Sequence, residues 1–266
     1  EAPNEMLCFW MLMEMGLLVL GSQSDRFLMD HDLNIIQHPS PNFGIRHGGI
    51  SPKIIVLHYT AMQNSNDALN RLTDPKAEVS AHYLIDKFGT ILQLVDEENR
   101  AWHAGCGSWG EINDINSNSI GIELDHCPSI DNKFNKKQLS SLEVLLFDIL
   151  KRRPQIVPKF IIGHSDMAPG RKSDPGMNFP WKRFSEKGLS IWPKNILNVQ
   201  VDWDIFKYNA ERFGYRAPTD NTDGWTKVLD VFRLRFLPDK KGDLSQDDMG
   251  MIIALATTWP NKTNNN

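Results

Sequence analysis

Cysteine is scarce. The 266 residues contain three, Cys8, Cys106 and Cys127, none in a Cys-x-x-Cys spacing. Three thiols cannot complete a disulfide framework, and without that spacing a thiolate metal site is disfavoured. Cys106 and Cys127 could pair in an oxidising compartment, but all three read as free thiols. Positive charge is not in excess either. Lys and Arg number 29 against 33 Asp and Glu, a formal net charge of −4, which argues against non-specific nucleic-acid binding and leaves nucleic acid off the list of partners. There is no glycine-rich loop ending in Lys-Ser/Thr and no His-Glu-x-x-His string. The first absence excludes a Walker-type phosphate site, the second a thermolysin-type peptidase helix. Long apolar runs are also missing. The most apolar stretch, residues 6–21, is interrupted by Glu14 and is short for a membrane span. It follows Glu1-Ala2-Pro3-Asn4-Glu5, acidic where a signal peptide is basic. Residues 1–38 are expected to be a signal-like segment or a helix that packs on the body. Membrane association is expected only if this segment is an uncleaved or lipid anchor.

What is present is ordinary in bulk and specific in detail. Hydrophobic residues at 41% and charged residues at 23% fit a globular protein with room for one large domain and a small one. Two apolar, β-branched runs, Ile54-Ile55-Val56-Leu57 and Phe160-Ile161-Ile162-Gly163, each end on a histidine, His58 and His164. They read as buried strands. Asp174 follows in Arg171-Lys172-Ser173-Asp174-Pro175-Gly176. Two imidazoles and one carboxylate leave a tetrahedral zinc one position for water, and strand ends are where open α/β sheets collect ligands. Either histidine alone reads more readily as a hydrogen-bonded core residue.

Patterning supplies the organisation. Strands are expected over 53–58, 81–86, 90–94 and 120–124, and a short helix over 66–72. A polar loop is expected over 105–119. The spacing of Leu139, Leu142, Leu145, Leu146, Ile149 and Leu150 predicts a helix over 135–153, stopped by Pro154. Amphipathic helices are expected over 202–213, 224–236 and 245–257. The fold class is α/β, a mixed central sheet flanked by helices with a zinc site at strand ends, plus a small C-terminal three-helix module. The domain reading is a catalytic domain at 39–186, a linker at 187–200, a helical module at 201–260 and a disordered tail at 261–266.

Further motifs sit in order along the chain. They are Ser40-Pro41-Asn42-Phe43, His58-Tyr59-Thr60-Ala61, Val79-Ser80-Ala81-His82-Tyr83, Ala101-Trp102-His103-Ala104-Gly105 and Ser119-Ile120-Gly121-Ile122-Glu123-Leu124, then the His164 and Asp174 segments. In this order the chain resembles the zinc-dependent N-acetylmuramoyl-L-alanine amidases of the AmpD/AmiD type, whose fold is shared with peptidoglycan-recognition proteins. The resemblance covers about residues 39–185 and continues more weakly to about 260.

The resemblance implies zinc (Zn2+) held by His58, His164 and Asp174, with Glu123 as the proton-transfer carboxylate and Lys172 beside the developing oxyanion. Asp125, two positions on from Glu123, is the second choice for the base. Asn42, Arg46, His82, Trp102 and His103 are candidate substrate contacts. Tyr59 and Thr60 are candidates to orient the first ligand, and His31, His38, His47 and His126 read as structural or exposed. The implied reaction is hydrolysis of the amide between the lactyl group of N-acetylmuramic acid and L-alanine. Its substrates would be peptidoglycan fragments, the 1,6-anhydro-muropeptides, with intact cell wall left open. The three C-terminal helices resemble a peptidoglycan-binding module, against the alternative of an extension that only stabilises. The extra module favours a periplasmic or outer-membrane-associated enzyme, and a cytoplasmic one stays open. Two rivals remain: a non-catalytic recognition protein of the same fold, and a zinc hydrolase for another amide.

Overall fold

The β-branched runs form the sheet that carries the histidines. In the computed structural model, residues 33–219 and 223–261 are described. The apolar 6–21 stretch and residues 262–266, on which the packing-or-signal and tail expectations fall, lie outside the described residues. Chain order is β1 (Ile35–Gln37), β2 (Phe43–Ile45), β3 (Ile54–Tyr59), α1 (Ser65–Thr73), β4 (Tyr83–Ile85), β5 (Ile91–Gln93), β6 (Asn99–Ala101), α2 (Ile115–Asn118), β7 (Ser119–Leu124), α3 (Lys136–Arg152), β8 (Ile161–Gly163), α4 (His164–Met167), α5 (Trp181–Glu186), α6 (Trp203–Phe213), α7 (Gly224–Phe236) and α8 (Gln246–Thr258).

Six strands form one sheet in the order β1-β5-β4-β7-β3-β8, while β2 and β6 make a separate antiparallel pair. Strands β4, β7, β3 and β8 run parallel, and β4–β5 is antiparallel. The mixed sheet is therefore as expected. Ile54, Ile55, Val56 and Leu57 of β3 are all fully buried, because parallel strands covered on both faces read as continuous apolar runs. Strand β1 was assigned to the N-terminal segment ending at 38. It instead pairs with β5 as the sheet's edge, so the sheet begins at residue 35.

Helix α1 starts on an Asn64 cap that accepts from the Asp67 amide and lays Ala68 and Leu72 against Leu84 and Leu94. Helix α3 is capped by Asn135 and buries Leu139, Leu142, Leu145, Leu146 and Ile149. Each such side chain contributes about 1.5–3 kcal/mol relative to exposure, which is why this helix was legible from spacing alone.

The C-terminal helices α6, α7 and α8 fall where the periodicity put them. The described residues from Ile35 to Asn261 form one compact unit. Ile162 and Met167 share a core with Phe206, Phe213, Phe232 and Ile252. Trp109, from the polar loop, is 1% exposed and packs edge-on against Phe213 and Tyr215. The three helices bury their apolar faces in a core shared with Ile54 and Val56 of β3 and Ile162 of β8. The buried pair Arg233–Asp248 ties α7 to α8.

Candidate active site

Parallel pairing sets the site. His58 of β3 is in register with Glu123 of β7, and residues paired across a sheet project from the same face. His164 is the first residue after β8, the strand on the other side of β3. The chain then makes one helical turn and returns with Asp174. Gly176, at φ +78°, makes the turn behind it. The Ser165 amide donates to the Asp174 carbonyl at 2.9 Å, which fixes the return loop against the second histidine.

Three ligand atoms converge. His58 Nδ1 lies 2.9 Å from His164 Nδ1 and 3.0 Å from Asp174 Oδ2, and His164 Nδ1 lies 2.9 Å from the same oxygen. All three residues are buried. The surrounding hydrogen bonds say which atoms carry protons. His164 Nε2 sits 2.9 Å from the Ala104 carbonyl. A carbonyl only accepts, so Nε2 carries the proton and Nδ1 presents a lone pair. For His58 the chain of partners is longer. Ser119 Oγ donates to the Ile115 carbonyl at 2.6 Å and is left to accept from His103 Nε2 at 3.2 Å. His103 Nδ1 then accepts from His58 Nε2 at 3.0 Å, so His58 Nδ1 is also a lone pair.

Two imidazole lone pairs and a carboxylate oxygen thus face one another at hydrogen-bond distance with no proton between them. Burial, and then His164, hold the His58 pKa down at about 4, so His58 is neutral at neutral pH. Mutually repelling acceptors at this spacing are satisfied by a cation, and two nitrogens with one carboxylate are a donor set that suits zinc. The residues present fit a metal ion.

Glu123 supplies the second element. Its Oε2 is buried with no hydrogen-bond partner. Burial, and next the Asp174 carboxylate, push its pKa up to about 8, with Lys172 opposing. The carboxyl group therefore exchanges a proton near neutrality. An open cleft of about 360 Å³ runs over this group and is lined by Tyr59, Arg71, Trp102, His103, Lys172 and Ser173 as well as the metal-binding set. Lys172 is exposed, with its charge near both His58 and Glu123.

Of the substrate-contact candidates, Trp102 and His103 line the cleft, and His103 also backs His58. Its ring lies directly on β7, where a Cβ on Gly121 would come within 2.4 Å of it. Asn42, Arg46 and His82 do not line the cleft. The Asn42 amide donates to the Asp74 and Val79 carbonyls. Arg46, 5% exposed, gives all its donors to the interior, reaching the carbonyls of Glu97, Asn116 and Ser117. His82 is fully buried between the Gly121 amide and the Asn99 carbonyl. These side chains satisfy backbone groups of the interior rather than facing the cleft. Asp125, the second choice for the base, does not line the cleft either. Strand β7 ends at Leu124, alternation stops there, and Asp125 turns into the interior near Lys87.

Tyr59 bonds Ser173 at 2.8 Å, next to Asp174, and the Thr60 hydroxyl accepts from the Met62 amide. His126 stacks on Phe134, His47 pairs with Asp114 at the surface, His38 is exposed, and His31 lies outside the described residues. Cys106 and Cys127 are free thiols. Sequence reasoning missed Ser119, which closes the proton chain behind His58, and Arg171, which donates to the carbonyls of Ala104 and Cys106 and so holds the carbonyl that orients His164. No spacing signals either one.

Comparison with known proteins agrees with this geometry. A family model described as N-acetylmuramoyl-L-alanine amidase matches residues 48–177. The N-acetylmuramoyl-L-alanine amidase AmiD of Escherichia coli is 33% identical over 211 residues, 70% of this chain and 75% of that protein. The 1,6-anhydro-N-acetylmuramyl-L-alanine amidase AmpD of Haemophilus influenzae is 34% identical over 165 residues, 56% of this chain and 89% of that one. The structure of the E. coli AmiD in complex with the substrate anhydro-N-acetylmuramic acid-L-Ala-D-γ-Glu-L-Lys superposes with a TM-score of 0.71. It is 28% identical and covers 82% of this chain and 98% of that one.

Proposed function

Because the chain belongs to the N-acetylmuramoyl-L-alanine amidase family, we propose that it hydrolyses the amide between the lactyl group of N-acetylmuramic acid and the L-alanine of stem peptides. Its substrates are 1,6-anhydro-muropeptides released during cell-wall recycling, and intact peptidoglycan is proposed as a second substrate. The observation that carries the reading is the set of three facing acceptors, His58 Nδ1, His164 Nδ1 and Asp174 Oδ2, beside the unpartnered carboxyl of Glu123. A recognition protein that only binds has no use for both features together.

The three acceptors hold zinc. When bound, the ion supplies Lewis acidity and brings the deprotonation of water towards neutral pH. Glu123 Oε2 accepts the proton from the attacking water and returns it to the departing alanine nitrogen, a role that needs a carboxyl titrating near neutrality. Lys172 places its ammonium group beside the oxyanion that forms on the lactyl carbonyl. Trp102 offers a flat apolar wall to the sugar or peptide. The chain Ser119–His103–His58 keeps the first ligand in one tautomer throughout.

The compartment we infer is the periplasm or the outer membrane, on the strength of a chain that continues past the catalytic motifs into three further helices. No helix among the described residues is long and apolar enough to cross a membrane.

The test is incubation of the full chain with an anhydro-muropeptide and with the same peptide lacking the sugar, with products read by mass spectrometry. Release of intact stem peptide from the first and no cleavage of the second is the expected result. Binding without release would favour a recognition protein, and cleavage of the sugar-free peptide would make it a peptidase.

A further inference from the structure

We propose that the buried trio Asp166, Arg235 and Tyr215 positions His164, so that the C-terminal helices are part of the metal site's scaffold. The proposal rests on the reading that His58, His164 and Asp174 hold a metal. Asp166 lies two residues after His164 on the single turn of α4. One of its oxygens, Oδ2, accepts from the Gly163 amide at 2.8 Å and from Arg235 Nη1 of α7 at 2.8 Å. The other, Oδ1, accepts from the Tyr215 hydroxyl at 2.7 Å. Arg235 Nη2 also donates to the Ile161 carbonyl at 3.1 Å. One guanidinium therefore grips the chain before His164, at Ile161, and after it, at Asp166. The ligand between these two points has little freedom to move.

The restraint reaches the third ligand. The Ser165 amide holds the Asp174 carbonyl, and a Cβ on Gly163 would sit 2.7 Å from Pro175. The strand end and the aspartate loop are thus in contact on both sides of His164.

Stability alone does not account for the trio. Both members of the ion pair are 1% exposed, and a buried ion pair is commonly no more stabilising than apolar side chains of the same size. Arg235 Nε is moreover buried without a partner, an uncompensated cost. Its guanidinium stacks over Trp181 at 4.2 Å, which fixes its plane. The family match ends at residue 177, so Tyr215 and Arg235 lie beyond it.

A second buried pair on the same helix provides the control. Arg233 binds Asp248 of α8, with the two side chains 4% and 0% exposed, and gives its other hydrogen bonds to the Gly242 and Asp243 carbonyls. Cobalt(II) affinity of the full chain would be measured by chelator competition, together with the visible absorption of the bound ion, for wild type, Arg235→Met, Asp166→Asn, Tyr215→Phe and Arg233→Met. Arg235→Met and Asp166→Asn should weaken cobalt binding about 10–100-fold, the range for residues that orient a metal ligand, and change the absorption intensity. Tyr215→Phe should weaken binding by a few-fold. Arg233→Met should lower the melting temperature and leave affinity and spectrum unchanged.

Wild-type affinity and spectrum in folded Arg235→Met or Asp166→Asn would overturn the proposal, as would an equal loss in Arg233→Met. If the charge variants do not fold, Tyr215→Phe decides, since it removes one hydroxyl and keeps the ring. Failure of the wild type itself to bind cobalt would instead overturn the metal reading.

Discussion

Replacing Glu123 with glutamine should make the protein more stable and almost inactive, and the two effects have one cause. The carboxyl is buried with Oε2 unpartnered, and its pKa rises from 4.5 to about 8. Because the folded value lies above the unfolded one, the stability tied to this group is complete below pH 4.5. It is lost as pH rises through about 8, since the unfolded chain ionises first. The loss runs at about 1.4 kcal/mol per pH unit. It therefore reaches about 3 kcal/mol at pH 7 and about 5 kcal/mol above pH 8. Glutamine has the same shape and no such dependence. Urea unfolding of chelator-treated wild type and Glu123→Gln across pH 4 to 9 measures the difference directly, with the metal absent so that its charge does not relieve the carboxylate. The glutamine variant should gain on wild type steadily between pH 4.5 and 8. In the metal-loaded enzyme, kcat should fall by about 10²–10⁴, the usual worth of a positioned acid–base group. A pH-independent stability difference, or a gain by wild type with rising pH, would refute the desolvated carboxyl. A kcat within tenfold of wild type would refute its role in proton transfer.

Lys172→Ala should lower kcat about 10²–10³-fold with zinc content unchanged, as for the loss of one oxyanion donor; steady-state kinetics and metal analysis check both. His103→Ala should weaken zinc binding about 10–100-fold, because it unlocks the His58 tautomer; chelator competition reads this. Arg46→Met should cost roughly 3 kcal/mol of stability through buried carbonyls left unpaired while KM stays the same. Thermal unfolding and KM together show whether Arg46 is interior structure or a substrate contact.

Residue types and periodicity exposed the parts of the site carried by regular elements. His58 and His164 drew attention because each ends a β-branched run, whereas Glu123 was named only through the family resemblance. Helix α3 was legible because its leucines bury one face. The bonds of Arg46 and Asn42 to backbone carbonyls could not be read in advance, because a polar side chain that binds substrate and one that satisfies buried carbonyls look alike in sequence. Asp125 lies one residue past the end of β7, a boundary that the sequence does not mark. Arg235 was not visible at all, being 69 positions from the carboxylate it grips within what reads as an ordinary amphipathic helix. The integration of α6–α8 with the sheet escaped for a related reason. The apolar face of each helix is plain, but its partners, the sheet layer and Trp109 from a loop that reads as polar, are not.

The most direct test of the central claim, that His58, His164 and Asp174 hold the ion on which hydrolysis depends, is metal removal and return. The full chain would be stripped with a chelator, verified metal-free, assayed for release of stem peptide from an anhydro-muropeptide, and titrated with zinc. Activity should vanish on stripping, return to completion near one equivalent of zinc, and fail to return in His164→Ala. Undiminished turnover by verified metal-free protein would contradict the account.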